Sequence, residues 1–191
     1  MVNSYISPKC EIQMKSTIHR YGVFAKEHIQ KDELLAIWGG HIIAAGNMDT
    51  LPKEILQHDY PVQVYDNLYL GPGNKAEVDE AEMFNHSCTP NAGIKGSIIL
   101  VARHNIEKGK EICFDYETTD IEGMNFLCSC NTKACRKIIN GQAWMQKSFQ
   151  RKNIGYMSWY IEEKIKQVNR SHWFLKKPQL LEKAKQILLH S

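Results

Sequence analysis

Asn85-His86-Ser87-Cys88-Thr89-Pro90-Asn91 precedes Glu111-Ile112-Cys113-Phe114-Asp115-Tyr116, which in turn precedes Cys128-Ser129-Cys130-Asn131-Thr132-Lys133-Ala134-Cys135. The last stretch sets three thiols within eight residues, close enough for one turn of backbone to deliver them to a single metal ion. A closed structural zinc site wants four ligands in a tetrahedron, so a fourth thiol has to come from Cys10, Cys88 or Cys113. Cys113 sits in an apolar run and reads as a small buried hydrophobe. Cys10 precedes the folded pattern. Cys88 lies in a polar, turn-rich segment and is the expected fourth ligand beside Cys128, Cys130 and Cys135. Four thiolates around Zn2+ leave a negative centre that is expensive to bury alone, and Lys133, Arg136 and Lys137 are expected to offset it.

Outward from these stretches the chain reads as short strands separated by turns, a pattern of a mainly β domain with short helices. Residues 23–25, 33–38 and 41–45 are predicted strands, with Gly39-Gly40 breaking the last two. Residues 51–56 form a short helix with Pro52 in its first turn. Residues 62–65 and 68–70 make a hairpin turning at Asp66-Asn67. A further strand pair is expected at 97–102 and 111–114, with a turn at Lys108-Gly109. Beyond Cys135 the apolar period becomes helical, over 142–150, 158–168 and 179–189, so the β domain is followed by an α-helical C-terminal tail.

With 191 residues and 43% hydrophobic content, the chain can bury one sizeable core. No stretch approaches the roughly 18 apolar residues of a membrane span, and Met1-Val2-Asn3-Ser4 lacks the basic and apolar regions of a signal peptide. The expectation is an intracellular protein, cytoplasmic or nuclear, that is neither secreted nor held in a membrane. Its six cysteines then read as metal ligands or free thiols rather than disulfides. The net charge of +3 hides an asymmetry: residues 1–140 hold 14 Lys+Arg against 18 Asp+Glu, and residues 141–191 hold 10 against 3. A basic helical tail suits nucleic acid, chromatin or another acidic partner, and equally suits a solvated lysine-rich face.

Taken together, the three stretches resemble the SET-domain protein-lysine methyltransferases. Residues 85–91 look like that family's N-H-S-C-x-P-N segment, residues 111–116 like its E-L-x-F-D-Y strand end, and Cys128, Cys130 and Cys135 like its post-SET zinc motif. The resemblance implies a SET-type β-fold with a C-terminal pseudoknot. It divides the chain into a lead-in over 1–16, a SET domain over 17–120, a post-SET zinc motif over 121–140 and a basic helical extension over 141–191. It implies S-adenosylmethionine as cofactor, bound at Arg20-Tyr21-Gly22, Tyr60, Asn85, His86, Tyr116 and Phe126, with Phe126 against the adenine. Tyr116 is the implied catalytic tyrosine, and Phe114, Ile37 and Tyr69 the implied walls of the lysine channel. Taken singly, Tyr116 and Phe114 would read as strand core and His86 as a polar loop residue; their company decides the reading. Arg20 stands where the family has the first glycine of a G-x-G turn, Ile37 where a channel tyrosine is common, and no cysteine-rich segment precedes the domain.

Methyl transfer from a sulfonium to an amine is an in-line displacement, so the protein must align donor and acceptor and exclude water. An aromatic channel lowers the lysine pKa by desolvation, so no dedicated base is required. Phe114, by the same resemblance, leaves room for more than one added methyl group. The expected substrate is a protein presenting a lysine, a histone among the candidates. By the same resemblance the segment between Gly40 and Tyr69 helps line the substrate groove, and its Asp49, Glu54, Asp59 and Asp66 favour a basic peptide. A catalytically silent SET-like module docking on chromatin is the rival from another class.

Overall fold

The computed structural model describes residues 4–58 and 60–170. The predicted third tail helix at 179–189 and Asp59 lie outside the described residues. The described residues form thirteen short strands. β1 (Tyr5–Ile6), β4 (Leu34–Ile37), β10 (Ile99–Ala102) and β9 (Ala92–Lys95) form one sheet in the order β1-β4-β10-β9. β2 (Cys10–Gln13), β3 (Gly22–Ala25), β11 (Glu111–Phe114) and β8 (Asn85–His86) form a second, in the order β2-β3-β11-β8. β5 (His41–Ala44), β7 (Leu68–Gly71) and β6 (Val62–Tyr65) form a third, and β12 (Phe126–Leu127) pairs with β13 (Ile138–Ile139).

The first two sheets bury their facing side chains in a common core. Val23, Leu35, Ala92, Ile94, Leu100 and Ile112 are each fully buried in it. A buried side chain of the Val, Leu or Ile kind stabilises the fold by about 1.5–3 kcal/mol relative to exposure. Cys10, expected ahead of the folded pattern, instead pairs with Ala25 in β2 and is buried in this core. Its Sγ is thereby committed to packing, and burial pushes the thiol up to about 12.

The pairing of β8 with β11 builds the site. The two strands run parallel, with Cys113 opposite Asn85 and Phe114 opposite His86. Two segments far apart in sequence thus lie side by side and end at the same place. Ser87 N–H continues the ladder to Phe114 O at 2.9 Å, and Asn91 straps it from below by donating its Nδ2 to Glu111 O and accepting Cys113 N–H, both at 2.8 Å.

The segment after β13 packs onto the β domain. A 3-10 turn (Ala143–Met145) leads into α2 (Lys147–Lys152), following α1 (Lys53–Leu56), and a third helix, α3, occupies residues 159–170. The expected single helix over 142–150 is therefore broken. Ala143 N–H donates to the buried Glu117 Oε1 at 3.1 Å, and Gln146 is extended (ψ 127°), so the chain restarts its helix there. Phe149, Met157, Tyr160 and Ile161 form a small core of their own. Ser158 N–H donates to Thr118 O at 2.8 Å, Trp159 N–H to Gly96 O at 2.7 Å, and the Tyr160 hydroxyl to Thr119 O. Tyr156 lies over β9 at Gly93, where a Cβ would stand 2.7 Å from the Tyr156 Cβ; only glycine admits the ring. The described part of the basic extension is thus half interior, not a free solvated helix. No helix of the described residues is long and apolar enough to cross a membrane.

Candidate active site

Four thiols converge behind the end of β8. The Sγ atoms of Cys88, Cys128, Cys130 and Cys135 all lie within 4.8 Å of one another, with Cys88 and Cys128 at 3.8 Å. Zn–S bonds of about 2.3 Å in a tetrahedron put sulfurs about 3.8 Å apart, so the spacing fits that ion. Main-chain N–H groups point at three of the sulfurs: Arg136 to Cys88 at 3.3 Å, Cys130 to Cys128 at 3.5 Å and Lys137 to Cys135 at 3.4 Å. Such donors suit thiolates. The expected fourth ligand, Cys88, is the thiol that joins the cluster, while Cys113 is buried in β11 and Cys10 in β2.

Arg136 does more than offset the sulfurs. Its guanidinium grips Asp115 with two bonds, at 2.7 and 2.6 Å, and reaches Glu117 Oε2 from Nε at 3.0 Å. Asp115 and Glu117 side chains are essentially inaccessible, at 0% and 2%. Burial opposes the charge on Arg136, yet the hydrogen bonds and field of Asp115 outweigh it and hold the guanidinium firmly protonated. The knuckle that carries three of the thiols therefore also clamps both residues flanking Tyr116. Nothing in the sequence signals this pairing, since about twenty positions separate the partners and basic residues are common beside thiolates.

His86 links the thiols to the tyrosine. Tyr116 N–H donates to His86 Nδ1 at 3.2 Å, which leaves the ring proton on Nε2, 3.3 Å from Cys88 Sγ. Burial holds its pKa down to about 4, with Asp115 opposing and Arg136 and Lys152 assisting, so the imidazole is neutral at pH 7. Asn85 serves the other side. Its Nδ2 donates within a fan of Tyr21 O at 2.7 Å, Glu111 Oε1 at 2.8 Å and Ser16 Oγ at 3.1 Å, tying the 16–22 turn to β11. Gly22 permits that approach: a Cβ there would stand 2.4 Å from Glu111 Oε1 and 2.8 Å from Asn85 Nδ2. Ser129 Oγ donates to Ile18 O at 3.0 Å, so the thiol knuckle closes against the same turn.

Tyr116 stands between a group of packed rings and a cavity. On one side its ring meets His86 at 5.3 Å and Phe126 at 6.1 Å. On the other it lines a cavity with Trp38, Tyr60, Phe114, Glu82 and Asp120. Its hydroxyl donates to Phe84 O at 2.9 Å, and Phe114 packs against it at 4.9 Å.

Among the expected channel residues, Phe114 lines this cavity and Ile37 does not. Ile37 pairs with Tyr5 and Ile99 in β4, and successive side chains of a strand point to opposite faces, so the next residue, Trp38, takes the inward place. Trp38 packs on Phe114 at 5.2 Å, anchored by its indole N–H to Ala81 O at 2.8 Å. Tyr69 is buried in β7 and does not line the cavity; its hydroxyl lies 4.0 Å from where Gly123 would carry a Cβ. Tyr60, expected against the cofactor, is a cavity residue stacked on His58 at 5.3 Å. Arg20 and Tyr21 are exposed at the turn, with the Arg20 guanidinium 5.5 Å from the Tyr21 ring. Of the acidic residues read as favouring a basic peptide, Asp66 is committed to Lys164 at 2.6 Å, and Asp49 and Glu54 are exposed.

The fold and sequence have recognisable relatives. The chain is 29% identical over 150 residues to the probable histone-lysine N-methyltransferase set-23 of Caenorhabditis elegans, covering 69% of this chain and 62% of that protein. It is 29% identical over 136 residues to the H3 lysine-4 specific histone-lysine N-methyltransferase of Schizosaccharomyces pombe, covering 65% of this chain and 14% of that one. The match thus spans less than two thirds of either relative. The crystal structure of KRYPTONITE in complex with mCHG DNA and SAH superposes with a TM-score of 0.54 at 18% identity, over 68% of this chain and 28% of that one, a likeness of fold. A family model described as SET domain matches residues 20–117, more than half of the 191, and the chain belongs to the SET-domain family.

Proposed function

We propose that this chain is a protein-lysine N-methyltransferase that transfers methyl groups from S-adenosylmethionine to the ε-amine of a lysine in a basic protein, with histones as the substrate class. The observation that carries the reading is the position of Tyr116, which is shared by the His86–Phe126 side and by the aromatic cavity. The names of the relatives, histone-lysine methyltransferases among them one specific for H3 lysine 4, support the substrate class. Action on histones implies an intracellular, chromatin-associated place of work.

The residues around the 20–22 turn fit the cofactor. Gly22 brings main chain against Asn85, Phe126 offers a half-buried aromatic face for a purine, and exposed Arg20 offers a cation to a carboxylate. S-adenosylmethionine supplies, when bound, a methyl group on a positive sulfur. Both ring nitrogens of His86 are engaged within the protein, which leaves cofactor contact at that residue to its main chain. Four cysteines of matched spacing fit a structural zinc ion, which would be held by Cys88, Cys128, Cys130 and Cys135 and would fix the wall carrying Phe126.

On the cavity side the chain's task is to align an amine and make it nucleophilic. A free lysine has a pKa of about 10.4, so neutralising it at pH 7 costs on the order of 4–5 kcal/mol. Trp38, Tyr60, Phe114 and Tyr116 surround the amine with aromatic faces that desolvate its charged form and lower that cost. Tyr116 orients the amine through its hydroxyl, which Phe84 O holds in place. The test is incubation of the purified chain with labelled S-adenosylmethionine and a core-histone mixture, followed by identification of the labelled amino acid. Methyl-lysine is the expected product; label on no protein, or on a residue other than lysine, overturns the reading.

A further inference from the structure

Glu82 is a carboxylate in the wall of the aromatic cavity. Its local duty is the capping box of the 3-10 turn Glu80–Met83: Glu82 Oε2 accepts Asp79 N–H at 2.9 Å while Asp79 Oδ1 accepts Ala81 N–H at 2.9 Å. That duty does not need a charge, because glutamine closes the same box. The second oxygen, Oε1, accepts the Ser4 hydroxyl at 3.3 Å. Among the described residues no lysine, arginine or histidine forms an ion pair with Glu82. A carboxylate beside an aromatic cavity, with no cation of its own chain, is costly unless a cation arrives from outside.

We propose that Glu82 receives the cationic amine of the substrate lysine as it enters the cavity, before the amine is deprotonated against the aromatic faces beside Tyr116, and so determines that the channel selects an ammonium over a neutral chain of the same length. The inference rests on reading the cavity as the lysine channel. Aromatic faces alone would accept an alkyl chain of either kind; Glu82 distinguishes them, the other wall carboxylate, Asp120, being bonded to Gln63 N–H and the Thr119 hydroxyl. The neighbourhood is consistent with a group awaiting its counter-ion. Burial pushes Glu82 up to about 7, aided by Asp79 on its own turn, and burial together with the field of Glu82 raises Tyr60 across the cavity. Asp120 and Tyr116 are the other titratable groups on the wall, and Trp38 is uncharged. Since Glu82 is ionised only above its raised pKa, preference for an ammonium should grow as pH rises through about 7.

The experiment uses the full chain and two small probes, n-butylammonium and n-butanol, titrated while the indole N–H resonance of Trp38 is followed by NMR. That signal is assigned by its loss in Trp38→Phe. At pH 8 the wild-type protein is expected to bind n-butylammonium about tenfold or more tighter than n-butanol, the worth of one charge-assisted hydrogen bond. The preference should shrink at pH 6 and vanish in Glu82→Gln, which keeps the capping box and an unchanged spectrum elsewhere. Equal binding of the two probes by wild type, an undiminished preference in Glu82→Gln, or no perturbation of Trp38 by either probe would overturn the assignment. None of these readouts uses methyl transfer, so failure of the methyltransferase reading would show separately, as absence of labelled product.

Discussion

Replacing Arg136 by methionine should unfold the site from behind while touching none of the groups that face a substrate. The guanidinium makes two bonds to Asp115 and one to Glu117 from Nε, with its Nη2 also 2.8 Å from Glu117. Without it two carboxylates of 0% and 2% exposure are left without their cation. Removing one partner of a buried pair typically costs about 3–5 kcal/mol. The Arg136 side chain is itself 21% exposed, so water entering the gap brings the figure toward the lower end. For a chain of this size each kcal/mol shifts the melting temperature by about 2–4 °C, so at about 3 kcal/mol a drop of about 6–12 °C is expected in a thermal scan. The diagnostic is the rescue. Adding Asp115→Asn and Glu117→Gln removes the stranded charges at constant shape, and should restore about half or more of the loss. Loss of less than about 1 kcal/mol on Arg136→Met, or no recovery in the triple variant, would refute the view that the clamp holds the strand end through charge.

Metal analysis should find one zinc ion per chain, and its removal by a chelator should abolish cofactor binding together with cooperative unfolding, because the thiol knuckle closes against the 16–22 turn; a chelated chain that still binds cofactor in a calorimeter would contradict this. Gly22→Ala should weaken cofactor affinity severely, as its Cβ enters the space of Glu111 Oε1 and Asn85 Nδ2; unchanged affinity by titration would show that the turn relaxes freely. Phe114→Tyr should restrict a wild type that adds several methyl groups to one, since it adds a hydroxyl to the cavity wall. Mass spectrometry of the peptide product reads the outcome, and wild type stopping at monomethyl-lysine would remove the premise.

The parts of this site that could be read in advance are those where one residue type has one chemical use. Four cysteines at metal spacing were legible because thiols in that pattern have few other duties, and Cys88 was separable from Cys10 and Cys113 by the polarity of its segment. The β6–β7 hairpin was legible through Asn67, which turns with φ 56°, a conformation asparagine tolerates. Contacts between distant segments were not. β1 and β2 are short and mixed in character, and they become strands because β4 and β3 offer them edges. β9 reads poorly as a strand because Gly93 belongs to the packing of Tyr156, some sixty positions away. Ile37 and Trp38 are adjacent, and only the register of β4 decides which one faces the cavity. The clamp of Arg136 on Asp115 and Glu117, and the place of Glu82 in the cavity wall, depend on chain reversals that leave no local pattern.

Tyr116 lies between the His86–Phe126 rings and the aromatic cavity, and a paired assay of wild type and Tyr116→Phe tests its proposed role most directly. Both proteins are given labelled S-adenosylmethionine and core histones, with cofactor affinity measured alongside. Wild type should label lysine. Tyr116→Phe should be slower by about 10²-fold while holding the cofactor equally well, since only the hydroxyl bonded to Phe84 O is lost. A wild-type chain that binds the cofactor yet labels no protein, or a Tyr116→Phe chain that methylates at the wild-type rate, would contradict it.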